Sequence, residues 1–269
     1  MLGILDLSAD HVVIVPGNHD VQWTTSAVYD HNAKVVQAPP AARSHYEEFY
    51  RQLLRHEPNR HLSMGRRFAL PCGLTIEVCG VNSSSLETGR DFLAGMGRID
   101  EGAYVEVAQH LGWSNAQTLA LRLLVIRHHL ALTEDVEPAE GFGKGYGLAV
   151  DAVHIQRMAA RNGVHLALHG HKHRSFIWRS TVYQLPEYTQ PEYRLGELSI
   201  VGGGSAGSSE TESASNYFNL IGVEAGQLTL NIYRSQHRGA FSIIQQWGAD
   251  LTLSKESDGL KLGDWVNVR

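Results

Sequence analysis

The sequence predicts an α/β fold, on three observations. Apolar runs of strand length alternate with helix-like stretches through the first two-thirds of the 269 residues. Past His173 that rhythm gives way to short strands separated by turns. The apolar share, 43%, is enough to bury a core in a chain of this length.

The elements follow in order. "VVIV" at 12–15 is a continuous apolar run stopped by Pro16 and Gly17, which predicts a buried strand. A helix is expected over 44–56 ("SHYEEFYRQLLRH"), a strand over 74–82 ("LTIEVCGVN"), and a helix over 101–111 ("EGAYVEVAQHL"). A strand over 121–127 ("LRLLVIR"), a helix over 149–163 and a strand over 164–169 ("VHLALH") complete the α/β portion, about 1–173. Asp151 is placed to cap the third helix, and Asn162-Gly163 to end it through a left-handed residue. The β-rich portion, about 174–269, holds "FIWRS", "TVYQL", "ELSIVGG", "NYFNLIGVE", "QLTLNIYRS" and "AFSIIQQW". Within it "LIGVEAGQLTLNIY" reads as a hairpin turning at Ala225-Gly226. The two portions are expected to form one layered domain over 1–269. The long loops 133–147 and 202–216 read as connections that could serve as lids beside a site.

Composition narrows the function. The formal charge of −5 argues against a general nucleic-acid or anionic-membrane surface. The local pair Arg66-Arg67 reads first as a solvated surface pair. Cys72 and Cys79 fall in one predicted strand region, too far apart along a strand for a disulfide, and are expected to be buried thiols. There is no cationic leader and no apolar run of about 18 residues, so the expectation is a cytoplasmic protein that does not engage membranes.

The chemistry gathers where apolar runs end. Gly17-Asn18-His19-Asp20 follows the first run, His128-His129 follows "RLLVIR", and Gly170-His171-Lys172-His173 follows "HLALH". In open α/β sheets ligands are held at the carboxyl ends of strands. Alternate residues of a His-X-His pair face the same side, so neutral imidazoles there can meet one or two divalent cations. Each block alone has a bland explanation as turn or solvated loop. Their joint occurrence, each after a buried run, does not follow from structural needs.

On those three blocks the chain resembles the calcineurin-like metallophosphoesterases, whose signature runs D-x-H, G-D-x-x-D, G-N-H-[DE], a single H, and G-H-x-H. The resemblance implies a four-layer α/β/β/α sandwich, here missing its first strands. It also implies a metal-dependent hydrolase of phosphoester bonds, phosphodiesterase or phosphomonoesterase, with a centre of two divalent metals. Asn18, His128 and His171 would ligate one metal and His173 the other. His19 would be catalytic, contacting a phosphoryl oxygen and helping to protonate the departing oxygen, with Asp20 orienting it. His129 is the alternative to His128, and Leu130 stands where the family often has proline. Imidazole and oxygen donors suit Mn, Fe, Co or Zn alike. Two cations about 4 Å apart can acidify a water and clamp the attacking and leaving oxygens.

The first two blocks of the signature do not occur in the sequence. Two expectations follow: either the natural protein begins upstream of Met1 and carries them, or the chain is a truncated product with impaired or no hydrolase activity. The competing function is therefore a non-catalytic relic that binds metal or a partner protein. The partner expected of the enzyme is a small phosphoester rather than nucleic acid. Substrate, metal identity and oligomeric state stay open.

Overall fold

In the structure, a computed structural model, residues 7–18, 20–21, 29–30, 35–36, 40–85, 96–113, 119–131, 147–171, 175–184, 193–204, 206, 215–224, 226–236, 239–253 and 259–268 are described. A 3-10 turn, Ala9–His11, is followed by the short antiparallel pair β1 (Tyr29–Asp30) and β2 (Val35–Val36), and by α1 (Pro40–Leu54). The α/β part continues with β3 (Met64–Ala69), β4 (Thr75–Gly80), α2 (Glu101–His110), β5 (Ala120–Ile126), α3 (Ala152–Arg161) and β6 (Leu166–His169). The β-rich part holds β7 (Phe176–Gln184), β8 (Tyr193–Gly202), β9 (Asn216–Glu224), β10 (Gln227–Ser235), β11 (Ser242–Leu253), β12 (Leu260–Leu262) and β13 (Val266–Asn267).

One sheet has six strands in the order β3-β4-β5-β6-β8-β7. Its centre, β4, β5, β6 and β8, is parallel, and β3 and β7 flank it antiparallel. The second sheet, β12-β11-β10-β9 with β13 also on β11, is antiparallel throughout. The alternation of β4 and β5 explains the layering, since successive side chains of a strand take opposite faces. Val78, Leu121 and Leu123 pack with Leu166 and Val201 against Leu228, Leu230, Ile232, Ala249, Leu251 and Leu262 of the second sheet. Cys79, Leu124 and Ile126 pack on the other side with Tyr104, Val107 and Ala108 of α2 and Ile155 and Ala159 of α3. The described residues thus make a helix layer, a mixed sheet and an antiparallel sheet, a mixed α/β fold, and they include no helix on the outer face of the second sheet.

Most expected elements are present with shifted ends, and the hairpin turns as expected, with Gln227 opposite Glu224 and Gly226 at φ 86°. "FIWRS" and "TVYQL" merge into the single strand β7. Gly163 does end α3 in the left-handed region, φ 63°. Asp151 precedes α3 but makes no side-chain cap; its carboxylate accepts the Ile99 N–H at 3.0 and 3.1 Å, tying the start of α3 to the approach to α2. The larger correction concerns residues 12–15, expected as a buried strand, which are half-buried and belong to no ladder. β4 is already paired on both sides, by β3 and β5, so the segment crosses over the end of β4 instead of joining it. A Cβ on Gly80 would lie 2.9 Å from Val13 Cγ1 and 3.2 Å from Val15 Cγ1, so glycine there permits the crossing. Ile14 sends its N–H to Met64 Sδ, 3.4 Å.

Cys79 is fully buried, but Cys72 is exposed in the turn between β3 and β4, a correction to the expectation that both are interior. Arg66 and Arg67 lie on β3 and are each engaged, Arg66 with Asp10 and Arg67 with the buried Glu77. No helix among the described residues is long and apolar enough to cross a membrane. Most of the loops 133–147 and 202–216 lies outside the described residues.

Candidate functional site

The parallel register brings the carboxyl ends of β4, β5, β6 and β8 side by side: Gly80 opposite Val125, Ile126 opposite His169, His169 opposite Gly202. The segments leaving these ends carry Ser83 and Ser84, then Arg127, His128 and His129, then Gly170 and His171. Residues 12–15 deliver Gly17 and Asn18 to the same place, where the Ser84 hydroxyl donates to the Pro16 carbonyl at 3.2 Å. Asp20 accepts the Gly17 N–H at 2.7 Å and its own N–H donates to Gly17 O at 3.1 Å, tying the two residues together.

His128 is wholly buried, and its ring centroid lies 4.9 Å from that of His171. The two are 43 residues apart and reach each other because β5 and β6 are adjacent parallel strands. His171 sits at φ 80°, a conformation uncommon for a residue with a side chain and characteristic of functional turns. His129 turns toward the helix layer: its ring stacks on Phe176 (5.8 Å, 16°) and tilts against His169 at 4.3 Å, while His171 is 6.3 Å away. Of the two consecutive histidines, the first is therefore the nearer to His171.

Ser83 fixes His128. Its Oγ accepts the N–H groups of Arg127 and His128, both at 3.1 Å, and lies 2.9 Å from His128 Nδ1. A hydroxyl has two acceptor sites and one hydrogen. Ser83 Oγ thus engages Nδ1 and leaves Nε2 as the ring nitrogen free to face the strand ends. Behind the ring is Gly97, where a Cβ would come within 2.4 Å of His128 Cγ. Burial first, and then the positive charge of Arg127, pushes His128 down to about 3. Burial likewise pushes His169 down to about 4, with Arg127 acting in the same direction.

Asn18 is buried beside this cluster, and its Oδ1 is engaged: Arg127 donates to it from Nε at 3.2 Å and from a terminal nitrogen at 2.8 Å. Of the five residues the sequence singles out, Asn18, His128 and His171 fall at the same end of one sheet. His19 and His173 lie outside the described residues. Ser83, Gly97, Arg127 and His169 were not singled out. The signal for Arg127 was present in "VIRHH", a charged residue where an apolar strand stops; Ser83 and Gly97 carried none.

The donors fit a divalent cation in part. Among the described residues, the wholly buried imidazole nitrogen His128 Nε2 finds no hydrogen-bond partner, and neither does His169 Nε2. Paired imidazoles suit a borderline first-row cation. The Asn18 oxygen, in contrast, is held by a guanidinium, and no group of three or more His, Cys, Asp or Glu among the described residues is arranged to hold a metal.

No protein-family model matches the chain, and no curated protein matches it. Among solved structures, a purple acid phosphatase isolated from yellow lupin (Lupinus luteus) seeds aligns over 86% of this chain at 13% identity, with a TM-score of 0.48. The chain covers 39% of that protein's length. The likeness is too remote to assign a family or an activity.

Proposed function

We propose that the carboxyl end of the six-stranded sheet is the site of a metal-dependent phosphoester hydrolase acting on a small substrate. The observation that carries this reading is the approach of His128 and His171 to a 4.9 Å ring separation, with His128 Nε2 buried and unpartnered. An orphaned buried nitrogen is costly, and a ligand that satisfies it removes the cost. His128, His171 and Asn18 would hold one cation, with His173 serving a second. Bound cations would supply Lewis acidity toward phosphoryl oxygens and activate water. The chain's own residues do the rest: Ser83 and Gly97 hold the His128 ring in its slot, and Asp20, bonded to the Gly17 N–H, would orient His19. His19 would donate a proton to the departing oxygen, a role that suits imidazole near neutral pH.

A second reading, a non-catalytic module that binds a cation or a partner, is favoured by the engagement of Asn18 with Arg127. The test is to titrate the chain with Mn, Zn or Co salts and assay a chromogenic phosphodiester in parallel. The hydrolase reading expects turnover that His128→Ala removes together with metal, and that His19→Ala removes with metal retained. Binding without turnover across a broad set of phosphoesters would leave the second reading standing.

A further inference from the structure

We propose that Arg127 controls cation uptake at the strand ends: its guanidinium occupies the Asn18 amide oxygen that a divalent cation would ligate, so guanidinium and cation compete for one atom. The inference rests on the metal-binding reading above and adds a residue outside the motif blocks.

The geometry is specific. Two Arg127 nitrogens, Nε at 3.2 Å and a terminal nitrogen at 2.8 Å, converge on the single oxygen Asn18 Oδ1. The side chain lies in a slot between the two loops that carry candidate ligands. A Cβ on Gly17 would stand 3.4 Å from Arg127 Nε, and one on Gly170 would stand 3.3 Å from a terminal nitrogen. Both glycines thus give the guanidinium its seat. The Arg127 backbone is fixed at both ends, its N–H on Ser83 Oγ at 3.1 Å and its carbonyl accepting the Gly170 N–H at 3.2 Å. Only the side chain is then left to move.

A cation takes an oxygen donor at roughly 2.0–2.2 Å. Sharing Oδ1 would place the cation within about 5 Å of a guanidinium nitrogen 2.8 Å from the same atom. Two positive charges at that distance in a half-buried site repel strongly, so the oxygen serves one or the other. Uptake of a cation on Oδ1 therefore requires Arg127 to leave Asn18. An arginine acting only as a clamp between the turn and β5 makes the opposite prediction, because removing it would loosen the site and weaken binding.

The experiment measures Co(II) binding by calorimetry and by visible absorption in wild type, Arg127→Met, Arg127→Lys, Asn18→Ala, the Arg127→Met/Asn18→Ala double variant and His128→Ala. Arg127→Met keeps the apolar stem and removes the charge, and is expected to tighten binding by about tenfold or more, the scale of losing one nearby like charge. Arg127→Lys keeps the charge and is expected to stay near wild type. In the Asn18→Ala background the gain from Arg127→Met is expected to shrink to the part that charge repulsion alone supplies, and the shortfall identifies the contested atom. Binding by Arg127→Met that is equal to or weaker than wild type overturns the proposal. Should that variant lower the urea midpoint, Arg127→Gln, neutral and polar, is read in its place. Co(II) binding that depends on His128 but ignores position 127 defeats only this inference. Absence of His128-dependent binding in every variant defeats the metal reading as well, and this inference falls with it.

Discussion

Ser83→Ala puts the construction of the site to a direct test. Ser83 is fully buried, and its Oγ serves three groups: the N–H of Arg127, the N–H of His128 and the His128 ring nitrogen Nδ1. Alanine leaves all three without that partner and adds no atom to replace it. An abandoned buried donor costs about 1–3 kcal/mol. The Arg127 amide is only part-buried and recovers some of that from water. The expected loss is therefore about 2–4 kcal/mol, which lowers the melting temperature by roughly 6–12 °C for a chain of this size. Urea unfolding followed by fluorescence and circular dichroism gives the free energy, with Ser84→Ala as control; that variant gives up one bond to the Pro16 carbonyl and should lose about 1 kcal/mol. A destabilisation below about 0.5 kcal/mol would show that the hydroxyl does not hold His128 as described.

Three further outcomes are expected. Gly97→Ala places a methyl 2.4 Å from His128 Cγ, so the ring must leave its slot; a loss of about 1–3 kcal/mol is expected together with weakened metal binding, and unchanged binding would sever His128 from the cation. Glu77→Gln, at the other end of the sheet, breaks a buried carboxylate that accepts from Arg67 (3.0 Å), Arg122 (3.1 Å) and Trp113 Nε1 (2.9 Å); it should cost about 3–5 kcal/mol while Co(II) affinity stays within twofold or so, and a large affinity change would refute the separation of the two ends. In the metal-free protein, burial holds His128, His169 and His165 neutral, below the value of about 6.5 they regain on unfolding. Their contribution is complete above pH 6.5 and falls as the pH drops, because the unfolded chain then binds protons the folded chain refuses; between pH 7.5 and 5.5 the loss from His128 and His169 should be roughly 2–3 kcal/mol, with His165 acting in the same direction. Urea midpoints that stay flat or rise over that interval would show these rings to be solvated.

The α/β rhythm was legible because β5 and β6 are central parallel strands, buried on both faces and mostly apolar, interrupted only by Arg122 in β5 and His169 at the end of β6. β9 and β10 were legible with their ends because the turn between them is short and marked by glycine. β3 was missed because an edge strand carrying Arg66 and Arg67 lacks that apolar signal. Residues 12–15 misled for the converse reason: apolarity reports packing, and these half-buried residues do pack against α1 and Met64 of β3, but side-chain packing alone does not place a segment in a ladder. Within the site, His128 and His171 could be named because strand-end histidines stand out. Ser83 and Gly97 could not, since a serine after a strand and a glycine in a loop acquire meaning only when a distant ring is placed against them.

The two ends of the sheet treat buried polar groups in opposite ways. At the amino end Glu77, 1% exposed, is surrounded by donors on both oxygens, and the Arg122 guanidinium also donates to the Asn162 carbonyl at 2.7 Å. Every charge there finds partners, which is the condition for a buried ionic cluster to leave the fold intact. At the carboxyl end His128 Nε2 and His169 Nε2 are just as buried and lack hydrogen-bond partners, and a guanidinium is bonded to a neutral amide beside them. Packing does not require this, because an apolar side chain at either position would avoid the penalty. Polar atoms that cost stability, gathered where four parallel strands end, have a physical rationale if something that binds there completes them. The proposal that function resides at the carboxyl end thus has support independent of any motif, and imidazole nitrogens as the unpartnered atoms favour a cation as its ligand.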